Sequence, residues 1–442
     1  MHFRAIFRAF IYRQDGALTA FGLFLIIAMI CVGGLAIDVA NAIMVRTHLQ
    51  VAADSAAHAA LITVNERDDH SEVAARAAAK QVAQNSLPTA TFGDTIRDSD
   101  IQFGQYNSTT GVFTPVSGSL DAVWVNTQRL QSRGNGMATY FLKFLGLYNM
   151  DVVSASVFET YRPTCMREGF VAEDRIDVQS NNSYRAGFCL HSNSHIEMNN
   201  NNLFENGVII SMPDKANLVI PSSGMTSNTG LSSALRSGAY RIRVLNRIDD
   251  IIAGFDDSTS SYYSSLYFNT PIQTVNLNPN QQLDGSGWTA GAIHTASCNG
   301  NKKLRIKSNA TIRNGVIHTA CDIVIGSNAT LEDVLIVSES TDLRAIDGGS
   351  GVTLGLDDGC ATGGGVQIVT KGGVRFTANL NLYGVQILAM DNIDFEANGN
   401  GVEGVSMVTM GEIDSTSNMD MGFCNGAGMD NSFEAEYFRL AR

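Results

Sequence analysis

From Ala17 to Ile37 the chain runs 21 residues without a charge, ALTAFGLFLIIAMICVGGLAI. At about 1.5 Å per residue, such a stretch crosses a hydrocarbon core of roughly 30 Å as an α-helix. A helix buried in a soluble core is broken by polar positions at helical period, and none breaks this run. Arg4, Arg8 and Arg13 precede it against a single acid, Asp15, and Asp38 follows at once. That excess of arginine keeps the N-terminus cytoplasmic and exports everything beyond residue 37. A cleavable signal peptide has an apolar core of only about 7–15 residues. The run therefore reads as an uncleaved transmembrane helix, although Ala40-Asn41-Ala42 would supply a small-residue cleavage site.

The helical pattern continues past the span. Ile43, Leu49, Ala53, Ala56, Ala60 and Val64 recur, at three- and four-residue steps after Leu49, with no Gly or Pro before Pro88. One unbroken helix is predicted from Ala17 to about Ile62, roughly 70 Å long, so that it projects beyond the bilayer. Asn65–Asp69 interrupts it, and Ser71 with Glu72 opens a second Ala-rich helix to about Gln84.

In the last third the pattern changes to short Val/Ile/Leu/Phe stretches between Asn- and Gly-rich turns, and it repeats. Ser308-Asn309-Ala310-Thr311-Ile312 returns nineteen positions later as Ser327-Asn328-Ala329-Thr330-Leu331. Gly365-Val366-Gln367-Ile368 returns as Gly384-Val385-Gln386-Ile387, and Phe376-Thr377-Ala378-Asn379 as Phe395-Glu396-Ala397-Asn398, both at the same interval. Gly404-Val405-Ser406-Met407 follows after twenty. A fixed short period with alternating apolar residues predicts a parallel, right-handed β-helix of about 19–20-residue rungs that stack to bury one another's faces. Asn and Gly suit its turns because they tolerate left-handed backbone angles, and stacked Asn can form amide ladders. Asn206-Gly207-Val208-Ile209 resembles Asn314-Gly315-Val316-Ile317, which extends the solenoid back into residues 187–220. The period fails over 221–295, where Leu245–Ile252 looks helical, so that stretch reads as an insertion.

Composition narrows the classes. The 442 residues carry 30 Lys+Arg against 43 Asp+Glu, a net charge of −13, which excludes a nucleic-acid partner. Charged residues are 17% and hydrophobic ones 44%, so the chain is not disordered. A mean hydropathy of +0.01 excludes a polytopic membrane protein.

The stretch DGALTAFGLFLIIAMICVGGLAIDVANAIMVRTHLQVAADSAAHAAL resembles the N-terminal module of TadE/TadG-like proteins of Flp (tight adherence) pilus assembly. The matching positions are Gly16, Asp38, Leu49, Gln50, Ala52, Ala53, Asp54, Ala56, Ala57, Ala59 and Ala60. A weaker, β-rich likeness follows in IQFGQY (101–106), TGVFTP (110–115), AVWVNT (122–127) and YFLKFLG (140–146). The resemblance implies an inner-membrane, single-pass protein whose partners are other pilus-assembly or pilin-like subunits. Gly16 is the candidate processing site, although Phe21 stands where prepilin-like relatives carry Glu. Some large relatives carry a von Willebrand A domain with a D-x-S-x-S metal site. Asp256-x-Ser258-x-Ser260 fits that spacing, but IIAGF before it is a weak strand, and a polar loop is expected.

Six cysteines, Cys165, Cys189, Cys298, Cys321, Cys360 and Cys424, lie on the exported side, while Cys31 lies in the span. An even number in an oxidising compartment indicates disulfides, with about fifteen connectivities open. Neighbours along a solenoid pair most readily, which favours Cys165–Cys189, Cys298–Cys321 and Cys360–Cys424. No C-x-x-C is present and the histidines do not cluster with the cysteines, so no metal site is assigned. No cofactor is implied, and Ca²⁺ at the Asp/Asn turns stays open without an assigned site.

The rival to a binding role is a membrane-tethered polysaccharide lyase or hydrolase. Arg305-Ile306-Lys307 matches an R-x-K element of polygalacturonase-like hydrolases, and Asp357-Asp358 is a carboxylate pair. The order is reversed from that family, and no His follows His318. No catalytic residue is assigned, and the chain is read as non-enzymatic. The expected organisation is a basic segment 1–16, a transmembrane helix 17–37, an Ala-rich stalk 38–85 and a small β-rich domain 86–162. A first solenoid part 163–220, the insertion 221–295, the β-helix 296–430 and a tail 431–442 complete it. The expected role is pilus biogenesis or adhesion, with the exported body periplasmic or surface-exposed and a surface polysaccharide or protein as its ligand.

Overall fold

A computed structural model describes residues 17–67, 69–278, 282–298, 302–395 and 401–441. The chain divides into two compact units, residues 1–161 with 436–442, and residues 162–435.

In the first unit, helix α1 (Ala17–Glu66) is unbroken over 50 residues. Helix α2 (Glu72–Ser86) is opened by Ser71, whose Oγ accepts a hydrogen bond from the Ala74 N–H at 3.3 Å. The α2 residues Ala75, Ala79 and Ala83 recur every four positions and are wholly buried in the core they share with α1. Strands β1 (Ile101–Asn107), β2 (Val112–Pro115), β3 (Ala122–Arg129), β4 (Val152–Tyr161) and β5 (Tyr437–Leu440) form an antiparallel sheet in the order β2-β1-β3-β4-β5. Along β3, Val123, Val125 and Thr127 are buried at period two, and the two valines join the core built by both helices.

Two expectations change here. The Ala-rich stretch is not a bare stalk, because Leu49 to Val64 supply one wall of this small domain's own core. Nor is the C-terminal segment a loose tail: β5 completes the sheet against β4, and Arg439 Nη2 binds Glu159 Oε1 at 2.6 Å.

The second unit is a parallel β-solenoid whose register reproduces the sequence period. Thr311 pairs with Thr330, Val366 with Val385, Phe376 with Phe395, and Val385 with Val405. Most coils add a strand to a main sheet and a two- or three-residue strand to a second one, such as Val374–Phe376, in which the outer residues face inward. Asn181, Asn201, Asn309, Asn328, Asn379 and Asn418 occupy turns at positive φ. Asn328 Nδ2 donates to Asn309 Oδ1 at 3.3 Å. Inside the stack, the buried Asn182 and Asn202 backbone N–H groups donate to the Asn202 and Asn228 side-chain oxygens, so that one amide ladder joins successive coils.

The coils do not stack in chain order. The main sheet runs Leu235–Ser237, Ile209–Met212, Cys189–Ser192, Gly169–Ala172, then Gly401–Thr409, Asn381–Ala389, Val366–Thr370, Thr330–Ser338, Thr311–Thr319, Ala292–Ala296 and Gln273–Leu277. The first coil therefore lies in the middle, with Gly169 to Ala172 paired to Ser406 to Thr409 on one side and to Cys189 to Ser192 on the other. The stretch 221–295 is in consequence not wholly an insertion, since four of its strands, including both ends of the main sheet, belong to the solenoid. The intervening residues 242–268, with a short helix Ile248–Gly254, cover the outer face of the main sheet. Val316, Leu335, Val369, Leu388 and Val408 share a core with Ile251, Phe255 and Phe268. With both faces covered, every residue of Val366–Thr370 is buried, Gln367 and Thr370 included.

Candidate functional site

The described residues of the TadE/TadG-like motif lie along the stretch of α1 that packs against α2, the sheet and the turn at Tyr140–Leu142. Asp38 is wholly buried, and its carboxylate accepts the backbone N–H groups of Tyr140 at 2.6 Å, Phe141 at 2.9 Å and Leu142 at 2.7 Å. Desolvation pushes this carboxyl upward, but the three N–H donors and the Lys143 charge outweigh it and hold it below the ordinary aspartate value. Leu49 is wholly buried, and its carbonyl accepts from Thr127 Oγ1 at 2.8 Å. Gln50 Nε2 donates to Asp54 Oδ1 at 2.7 Å and to the Ala155 carbonyl at 3.2 Å, while its Oε1 accepts from Ser154 Oγ at 2.6 Å. Ala52, Ala53, Ala56, Ala57 and Ala60 have no exposed surface. These small residues are buried within the chain's own first unit, all but Ala53 in the core shared by α1, α2 and the sheet.

What α1 leaves open is its first half. Phe21, Phe24, Ile27, Met29 and Val32 are exposed, and the helix is long and apolar enough to cross a membrane. Cys31 is exposed there and unpaired. Gly16 and the flanking Arg4, Arg8, Arg13 and Asp15 lie outside the described residues.

The chemistry-bearing candidates of the solenoid fall apart spatially. Arg305 and Lys307 line an open groove of about 340 Å³ with Gln282, Asp347 and Arg375, and Lys307 lies 3.7 Å from Asp284. Asp358 lines a separate crevice with Tyr383 and Glu403, beside the Cys360–Cys424 disulfide. Asp256–Ser260 is a polar turn in which Asp257 Oδ1 accepts from the Thr259 N–H and Oγ1. The other disulfides join Cys165 to Cys189 and Cys298 to Cys321. Among the described residues no group of His, Cys, Asp and Glu is arranged to hold a metal ion. Four carboxylates, Asp177, Glu197, Glu412 and Asp414, close around the Arg175 guanidinium.

Sequence reasoning missed Thr127, Ser154 and the 140–142 turn as partners of the motif. They lie about a hundred residues from the helix, and nothing local marks them.

No curated protein and no solved structure matches the chain. Residues 16–81 match the family described as putative Flp pilus-assembly TadE/G-like, so the motif that builds the helix–sheet seam is that family's. The solenoid, residues 169–425, matches a domain of unknown function, DUF7867, and over this larger part of its length the chain belongs to that family.

Proposed function

We propose that this chain is a membrane-anchored component of a tight-adherence pilus system, acting in pilus biogenesis or adhesion. Its N-terminus is cytoplasmic, its span lies in the inner membrane, and its solenoid is an exported binding body. The observation that carries this reading is the match of residues 16–81 to the pilus-assembly family, on a helix whose first half is apolar and uncovered. Three disulfides in the second unit support an oxidising, exported location. The solenoid is read as non-enzymatic, because Arg305 and Lys307 line one depression and Asp358 another.

The test replaces residues 1–37 with a cleavable signal peptide and leaves the packed helix from Asp38 onward intact. The expected result is a body released from the membrane fraction together with loss of pili or of adhesion. Unchanged piliation and adhesion with a soluble body would sink the proposal. A signal on polysaccharide substrates that disappears when Asp357 and Asp358 become Asn would favour the enzyme instead.

A further inference from the structure

The turn that Asp38 grips carries a cluster of large uncovered side chains. Tyr140, Phe144, Leu145, Leu147 and Tyr148 are 58%, 77%, 65%, 56% and 67% exposed, five large residues within nine positions. Building on the anchoring reading above, we propose that residues 140–148 form a second membrane contact. This aromatic collar sits in the interfacial layer of the bilayer, where headgroups meet acyl chains, beside the end of the spanning helix.

Its height is fixed by two contacts. Phe141 lies directly on Gly34, where an added Cβ would come within 2.4 Å of the Phe141 Cβ. Gly34 is three residues inside the end of the charge-free run, about 4–5 Å below its boundary at the helical rise. The Asp38 carboxylate, at that boundary, holds the N–H groups of Tyr140, Phe141 and Leu142. The turn is therefore held against the membrane end of α1, on the helix face whose next turns into the span carry the exposed Ile30 and Ile27.

Its chemistry suits that layer. Tyrosine combines an apolar ring with a polar tip and concentrates where hydrocarbon meets water. The Lys143 amine lies 5.8 Å from the Phe144 ring centroid and can extend along its stem to lipid phosphates. Backbone groups near lipid must be satisfied internally. Here the Phe144, Gly146 and Leu147 N–H groups donate to the carbonyls of Phe141, Lys143 and Leu142 at 3.0–3.1 Å, and the Thr139 N–H donates to Tyr148. An uncovered apolar patch of this kind marks an interaction surface. Continuity with the spanning helix identifies its occupant as lipid.

The experiment uses the full-length chain with Cys31→Ser, reconstituted in phosphatidylethanolamine and phosphatidylglycerol vesicles. Single cysteines are introduced at Phe144, Tyr148, Phe24 and Val112, the last an exposed hairpin residue of the same unit, and each is labelled with an environment-sensitive fluorophore. Labels at Phe144 and Tyr148 should shift to the blue, lose quenching by aqueous iodide, and be quenched more by headgroup nitroxide lipids than by deep acyl-chain ones. The Phe24 label should show the reverse depth preference, and the Val112 label should stay open to iodide. Deep quenching at Phe24, with Phe144 and Tyr148 as open to iodide as Val112, overturns the collar and leaves the anchor standing. Absence of lipid quenching at Phe24 overturns both. Protection at Phe144 that vanishes when the protein is diluted in lipid assigns the patch to a second copy, and also overturns the proposal.

Discussion

Replacing Arg175 by methionine should weaken the solenoid where its two chain segments meet. Arg175 Nη2 lies 2.9 Å from both Glu412 and Asp414, in the coil contributed by the C-terminal segment. Its Nη1 lies 3.2 Å from Glu197 and 3.4 Å from Asp177, on the N-terminal side. One cation thus holds four carboxylates across the junction. Exposed ion pairs contribute about 0–1 kcal/mol, and breaking a fully buried one costs about 3–5 kcal/mol. The Arg175 side chain is 25% exposed, which places the expected loss between these limits, at about 2–3 kcal/mol. Methionine preserves most of the stem, so the loss reports charge rather than packing.

The assay is urea unfolding of the full-length protein in detergent, in a Trp124→Phe background so that Trp288 reports on the solenoid. Three signatures belong to the charge argument. Salt should narrow the deficit, since screening shortens from about 10 Å at 0.1 M to about 3 Å at 1 M. Glu412→Gln with Asp414→Asn should restore much of the loss. Acid should narrow it too: burial already raises the Asp177 and Asp414 carboxyls against the pull of Arg175, and removing Arg175 raises them further. A carboxyl raised in the folded state contributes stability that is fully present below its unfolded value, about 3.9, and lost as pH rises through the folded one. The deficit should therefore be full at neutral pH and shrink towards pH 4. A loss below about 0.5 kcal/mol, the level of an ordinary surface substitution, or a deficit indifferent to salt and pH would refute the reasoning.

The order of the coils can be tested covalently. Asp177 and Asp414 are register partners in adjacent parallel strands, 237 positions apart in the chain. Neighbouring strands lie about 4.7–4.9 Å apart, within disulfide range. Asp177→Cys with Asp414→Cys, in a Cys31→Ser background, should form a cross-link seen as a mobility shift on a non-reducing gel. A failure to cross-link under oxidation would contradict the stacking. His191 is wholly buried; its Nε2 donates to Asn193 Oδ1 at 2.9 Å and its Nδ1 lies 2.7 Å from Ser211 Oγ; burial pushes its pKa down, against those bonds and Glu173. The neutral ring's contribution is present above the unfolded value of about 6.5 and lost as pH falls through the folded one. His191→Gln should accordingly flatten the acid side of the stability profile, and an unchanged profile would exclude this residue as a source of it.

The sequence made the coils legible and their order illegible, for a definite physical reason. An offset of nineteen or twenty fixes which residues align, because a parallel register must equal the length of one turn, and Val366 against Val385 obeys it. The same offset carries no information about which turns are neighbours once the chain leaves the stack and returns. Residues 242–268 make that excursion over the outer face of the main sheet, so Gly169 meets Ser406 although no repeat links them. The polar ties across that junction are equally non-local. The wholly buried Glu168 accepts the N–H groups of Cys424 and Gly426, and Asn182 accepts that of Met419. The first unit shows the same limit. Helical period located the buried face of α1 from Leu49 to Val64 but wrongly included the exposed Ile43, and a stripe of alanines fits a neighbouring subunit as well as the chain's own sheet. Only the hydrogen bonds of Leu49, Gln50 and Asp38 to residues about a hundred positions away decide between them. Asp38 then acquires a reason that its position alone did not supply. A carboxylate at the end of an apolar span is costly unless its oxygens are satisfied, and here three N–H groups of a turn whose outward side is apolar hydrogen-bond it. The residue that ends the span thereby also sets the height of the turn it holds.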